Sequence, residues 1–394
     1  MKKNYALIVC MTVCGAALFA QTAATIYVGD PPQGGAGTYD EVLRDLFDAA
    51  DWLKEYARDG GNYTIVLGKD HAANGVSLDY GSKKVAVTLK ATGGTRTITR
   101  NGSTLFTVGA GVTLTLEEGV ILSGAGAGNG YSLVRIEGGT FTMNGGAISG
   151  NTVLIAYYVG RGSGVYVDSG TFTMNGGTIS GNAAHGKETY QGGEGGEGGG
   201  VYVDNSGTFT MNGGTISGNT ADRGRGDTGG SGGGVYAVGF TGGGVFVGGT
   251  FTMSSGIISG NTADLDGGGV CGFGTFTMSG GAISGNTVNK DGGGVYVYNG
   301  TVTMNGGAIG GNTAKENGGG VYMDNNGTFT KSDSGGIIYG SNAPAEMANK
   351  AGSDEKGHAA FVDSNTRTYV RNTTADETTA LDSTKNRIQG GGWE

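Results

Sequence analysis

Proline is nearly missing, with 3 in 394 residues, and cysteine is as scarce at 3. So few prolines leave long stretches in which every residue can donate its backbone N–H to a ladder. Two of the cysteines, Cys10 and Cys14, lie in the first 24 residues, so Cys271 alone remains in the body of the chain and an intramolecular disulfide is excluded. Charge is sparse too, at 15% of residues, and the 25 Lys and Arg form no runs. A net charge of −9 without a basic stripe argues against nucleic acid as a partner. No nucleophile elbow, P-loop, paired CxxC, HExxH or RTX calcium repeat is present, so no cofactor and no metal is expected.

What is abundant is glycine, 87 residues, without the every-third spacing of collagen. Regularly spaced Val, Ile, Phe and Met supply a core, so the chain is not a disordered one. Residues 1–24 read as a signal peptide: Lys2 and Lys3, an apolar stretch from Tyr5 to Ala20, then Ala20, Ala23 and Ala24 as small residues for cleavage. Cys10 and Cys14 each follow Val, where a lipoprotein signal wants a small residue. Its removal leaves 23 basic and 34 acidic residues, a net charge near −11. No later stretch is long and apolar enough to span a bilayer.

The stretch Gly198 to Ala221, GGGVYVDNSGTFTMNGGTISGNTA, recurs in close copies. Phe stands at 141, 172, 209, 251, 276 and 329, with Val302 in its place once. Asn stands at 151, 182, 219, 261, 286, 312 and 342. The step from Phe to Asn is 10 residues in the first six copies and 13 in the last. The step from Asn to the next Val is 9 in three copies but 14, 19 and 16 after Asn151, Asn182 and Asn219. A fixed frame with one elastic corner is how a solenoid appears in sequence.

Each fixed segment alternates with period two, which places Phe209 and Met211 inward and Thr208 and Thr210 outward. Stacked rungs would then repeat about every 4.8 Å. The Asn residues at 151, 182, 219, 261, 286, 312 and 342 are expected to form a buried amide ladder. Tyr166, Tyr202, Tyr236, Tyr296 and Tyr322 are expected as an outward column, and Asp168, Asp204 and Asp324 follow them. The fold class is all-β: a right-handed parallel β-helix of about nine turns with an N-terminal capping helix. That helix is placed at about 39–59, opened by the capping box Thr38 to Glu41. Residues 25–110 form this cap and the first degenerate turns, 111–345 the repeat β-helix, and 346–394 a C-terminal cap or tail.

The phrases ISGNTA and GGGVYV resemble the repeats of bacterial polymorphic outer-membrane proteins, which combine a GGAI-like and an FxxN strand. More broadly the chain is similar to the pectate-lyase-like β-helix class. Ile replaces the Phe of FxxN here, and no long C-terminal β-barrel follows. The resemblance covers about Val112 to Asn342 and implies a cell-surface or secreted, adhesin-like protein, outer-membrane associated, whose partner is a host or matrix protein or a glycan. It also implies a rival: a polysaccharide lyase or glycoside hydrolase, which would need clustered carboxylates beside a Lys or Arg.

The sequence favours binding over catalysis. The longest insertions hold the candidate contacts: His185, Glu188 and Tyr190 in one, and Arg225, Gly226 and Asp227, an integrin-type tripeptide, in the next. A minor alternative is ice binding through the Thr-x-Thr columns, against which stands the plain suitability of Thr for an outward strand position.

Overall fold

The computed structural model describes residues 23–393 apart from 30–40, 74, 127–129, 155–159, 187–195, 223–241, 325, 333–334, 353–355, 364–367 and 384–392. The signal-peptide segment, most of the Thr38–Glu41 capping box, and Glu188, Tyr190, Arg225, Gly226, Asp227 and Tyr236 thus lie outside the described residues. Among the described residues the chain is all-β but for one helix, and its strands build two long, predominantly parallel sheets of 21 and 15 strands.

One repeat explains the rest. Val201–Met211 runs through the larger sheet, and Thr215–Ser217 and Thr220–Asp222 then belong to the smaller one. In later repeats the long strand divides in two, as at Val245–Val247 and Thr250–Met253. Each copy pairs with the next in parallel and in register, so Phe172 faces Phe209, Phe209 faces Phe251 and Phe251 faces Phe276. Their rings stack 4.7, 4.7 and 4.9 Å apart, and all four are buried. Identical side chains at one rung spacing stack directly on one another, which favours a dense core.

The Asn column closes the polar accounts of one corner. Asn219, Asn261 and Asn286 are fully buried. The Asn261 Nδ2 donates to the carbonyl of Ile216 at 3.0 Å and to Asn286 Oδ1 at 3.0 Å. Its Oδ1 accepts from both the backbone N–H and the Nδ2 of Asn219, each at 3.0 Å. Glycine triplets lie against this column: a Cβ on Gly200 would come 2.7 Å from the Gly244 carbonyl and 3.0 Å from Asn219 Nδ2. Gly214, at φ +82°, makes the preceding corner in a conformation that L side chains avoid.

The ladder's last member is not Asn342. Asn312 donates to Asn349 Oδ1 at 2.9 Å through its backbone N–H and its Nδ2, while Asn349 Nδ2 donates to the Ile309 carbonyl. Asn342 is exposed and accepts from Thr374. The segment after Ile338 loops out through Pro344 before returning to the corner, so the spacing that marks the slot elsewhere misplaces it here.

The helix is shorter than the sequence predicts, Leu46–Tyr56, and its N-cap is Asp45, whose side chain accepts from the N–H groups of Phe47 and Asp48. Glu41–Leu43 is a strand instead, paired with Ala23–Val28. The helix buries Leu46, Ala49 and Leu53. No helix among the described residues is long and apolar enough to cross a membrane. At the other end the parallel order stops. Thr368–Arg371 and Leu381–Asp382 pair antiparallel with Ala360–Asp363 and Thr328–Lys331. Lys331 takes the place of the Met column, buried, and its Nζ donates to the carbonyls of Ser332, Asp376 and Thr379.

Removing the amide of Asn261 should leave the groups above and below it without partners, at about 1–3 kcal/mol for each buried group stranded. Asn261→Ala and Asn349→Ala are expected to lower the denaturant midpoint well below that of the native chain, and Asn342→Ala to leave it almost unmoved. Urea titrations of the three variants check the reassignment directly.

Candidate functional site: the charged aromatic face

The Tyr column is not a free outward stripe. In register it runs Arg135, Tyr166, Tyr202, Phe246, Cys271, Tyr296, Tyr322 and Phe361. Phe246 and Cys271 are wholly buried, and Tyr202, Tyr296 and Tyr322 are nearly so, forming a hydrophobic cluster apart from the main core. The glycine corners cover them, because the residue that opens each triplet lies over the column. Arg161 and Glu197 are bridged there, as are Asp266 and Asp291. Burial raises the Tyr166 hydroxyl to about 12 and pushes Tyr202, Tyr296 and Tyr322 higher still.

Charged groups therefore frame the aromatics at two places. At the N-terminal one, Arg135 ion-pairs with Glu137 at 2.7 Å and with Asp168 at 3.2 Å, and its guanidinium lies 4.8 Å over the Tyr166 ring. Tyr166 in turn donates to Asp204 at 3.2 Å. Arg161 pairs with Glu197 at 2.6 Å and lies 5.3 Å over the Tyr202 ring. Burial works against the Arg161 charge, but Glu197 and the two tyrosines outweigh it and hold its pKa above the ordinary value. Four carboxylates and two guanidiniums thus gather on one face, and Arg135, Asp168 and Arg161 remain over a third exposed. Such a patch can hydrogen-bond a polar, hydroxyl-rich surface through both charges.

The second place holds Asp266 and Asp291, nearly buried, with Lys290 Nζ at 3.8 and 3.9 Å. Asn317 donates to Asp291 from its backbone N–H and its Nδ2. Burial raises Asp266 to about 7, partly opposed by Lys290, and burial raises Asp291 as well. Tyr296 donates to Asp324 at 3.1 Å. Among the described residues no group of three or more His, Cys, Asp or Glu is arranged to hold a metal.

Of the residues that the sequence offered, Asp168 meets a basic partner, Arg135, while Asp204 accepts from the Tyr166 hydroxyl. Arg135 stands in the Tyr column one repeat earlier, in a VRI strand that lacks the glycine triplet and so escapes alignment with VYV. Arg161 and Lys290 were missed for a similar reason, because they sit in the elastic corner. His185 pairs its Nδ1 with Asp222 Oδ2 at 2.7 Å, across rungs in register.

The elastic corner is framed by paired residues on both sides. Val153, Ala184 and Ala221 stack on one another before the three insertions, and Arg161 and Glu197 bridge where the first two return. All three insertions therefore leave from one edge.

Two pH responses follow. Asp266 carries a folded pKa raised from 3.8 to about 7, so it favours the fold while protonated. That stabilisation is complete below the unfolded value and is lost as pH rises through the folded one. Asp266→Asn is expected to flatten this loss and to be more stable than the native chain above pH 7, as urea midpoints across pH would show. The hydrogen bond to Asp222 raises His185 above 6.5 against the opposing effect of burial, so its contribution is full below 6.5 and disappears as pH rises through the folded value. Asp222→Asn should bring the His185 titration, followed by NMR, to lower pH. The chain matches no protein-family model, no curated protein and no solved structure.

Proposed function

We propose that the chain is an exported, right-handed parallel β-helix of the kind the repeats resemble. It acts as a rigid, adhesin-like rod at the bacterial surface or in the medium, and it binds a host or matrix protein or a glycan. The helix Leu46–Tyr56 caps one end. The observation that carries this reading is the common edge, marked by Val153, Ala184 and Ala221, from which the three insertions depart. A stiff stack with variable segments along one edge divides the work: the ladders give rigidity and the segments give contact chemistry. Arg225, Gly226 and Asp227 fall within the last of them.

A second reading has its own support. The polysaccharide-active alternative requires at least three carboxylates on one outer face beside a basic group. Glu137, Asp168, Asp204 and Glu197 with Arg135 and Arg161 satisfy that requirement. The close ion pairs and the cation–π contacts, however, occupy these groups with one another, which suits a binding face better than a catalytic one.

Shortening the insertions that follow Ala184 and Ala221 to the tight corner seen at Asp264–Asp266 is expected to leave thermal stability unchanged and to abolish binding to cells or to a glycan array. Retained binding would refute the edge as the contact surface. Asp227→Glu reports separately on the tripeptide. Turnover of any polysaccharide that Asp168→Asn or Asp204→Asn eliminates would favour the enzyme instead.

A further inference from the structure

The outer face of the TFTM strands carries a regularity that the binding edge does not need. One column holds Thr at eleven successive rungs, from Thr25 through Thr210 to Thr330. Two residues earlier on each strand, a second column holds Thr at eight rungs, from Thr113 to Thr328. The first column outlasts the repeat. In the early rungs the inward neighbour changes from Ala24 to Tyr63, Val87 and Leu114, and the outward residue two places on from Tyr27 to Val66, Lys90 and Glu117, yet Thr stays. Simple duplication of a TFTM unit does not account for Thr in strands that are otherwise unlike it.

Three physical properties accompany the pattern. Neither column contains a charge over these rungs. All of these Thr are half-buried or exposed, with Thr250, Thr275 and Thr301 the most open. Beyond Thr25, none of their hydroxyls has a hydrogen-bond partner within the protein among the described residues, so they do not act by bonding one rung to the next. The spacing is also fixed from beneath. Stacked Phe rings at 4.7 to 5.2 Å set the distance between rungs, and alternate residues along a strand are about 7 Å apart.

We infer that this face binds ice. A two-dimensional grid of hydroxyl and methyl groups can engage many rungs at once only with a partner that has a matching two-dimensional repeat. The two spacings lie close to oxygen repeats in hexagonal ice along and across its layers. Each contact is weak, but the grid is ordered before binding, so little conformational entropy opposes their sum. A crystalline polysaccharide also has a lattice, but its sugar faces are recognised by stacking on aromatic rings, and the aromatic column here lies in the VYV segment of each copy, buried. This surface is distinct from the insertion edge, and the inference stands whether or not that edge binds a cell.

The test uses the full secreted chain. Thermal hysteresis, ice-crystal shaping and partitioning into a slowly growing ice hemisphere are measured for the native protein and for Thr210→Lys combined with Thr252→Lys, in the centre of the grid. Thr215→Lys, on the neighbouring sheet, is the control, and circular dichroism melts establish that all three fold. The expected result is faceted crystals and enrichment in ice for the native and control chains, with both lost in the double variant. Thr210→Val with Thr252→Val, which keep the shape without the hydroxyl, are expected to reduce hysteresis less than the Lys pair. A native chain that is excluded from ice overturns the inference, as does a double variant that binds ice as well as the native chain. Retention on microcrystalline chitin or cellulose with exclusion from ice overturns it in favour of a polysaccharide lattice.

Discussion

Everything in this molecule depends on one constraint: a residue must be compatible with the copy of itself directly above and below. Hydrogen bonding between parallel strands holds the rungs at a single rise, so an inward side chain meets its equivalent at that rise and nowhere else. Flat rings satisfy this by stacking, as Phe209 does between Phe172 and Phe251. Amides satisfy it by donating in one direction and accepting from the other, as Asn261 does between Asn219 and Asn286. Charges do not satisfy it: the buried cations Arg100 and Lys331 lie before and after the TFTM copies, and each donates to backbone carbonyls instead of to a copy of itself.

The same constraint explains why the charged face is interesting. Repetition places like residues together, whereas a site needs unlike ones. Arg135 meets Tyr166, Arg161 meets Glu197, and Lys290 lies between Asp266 and Asp291, each where a column changes identity from rung to rung. Departures from the repeat are thus the places at which chemistry becomes available.

That division also marks what could be read from the sequence. The Phe and Asn columns, the inward and outward sides and the position of the elastic corner were all legible, because period two and a fixed ten-residue step leave little freedom. The helix boundaries were not, since the Thr38 box was as good a start by composition as Asp45, and only the pairing of Glu41–Leu43 with the first strand decides between them. Asn349 was hidden behind a loop that imitates the repeat as far as Asn342. The basic partner of Asp168 was hidden because Arg135 occupies a strand without the glycine signature that marks the copies, and that of Glu197 because Arg161 lies in the elastic corner. Burial of the Tyr column depends on the corners folding over it, which alternation along a single strand does not express.

Lys331 has a consequence for how such a chain can evolve. It occupies the methionine line at the final rung and directs its ammonium to the carbonyls of the closing segment. A further copy added after it would have to seat an apolar side chain against that cation, so lengthening by addition at this terminus is disfavoured. A copy inserted between interior rungs meets only its own kind on both sides. Gene-level growth and shrinkage of the protein should therefore occur in the middle, with the two ends inherited as fixed stops.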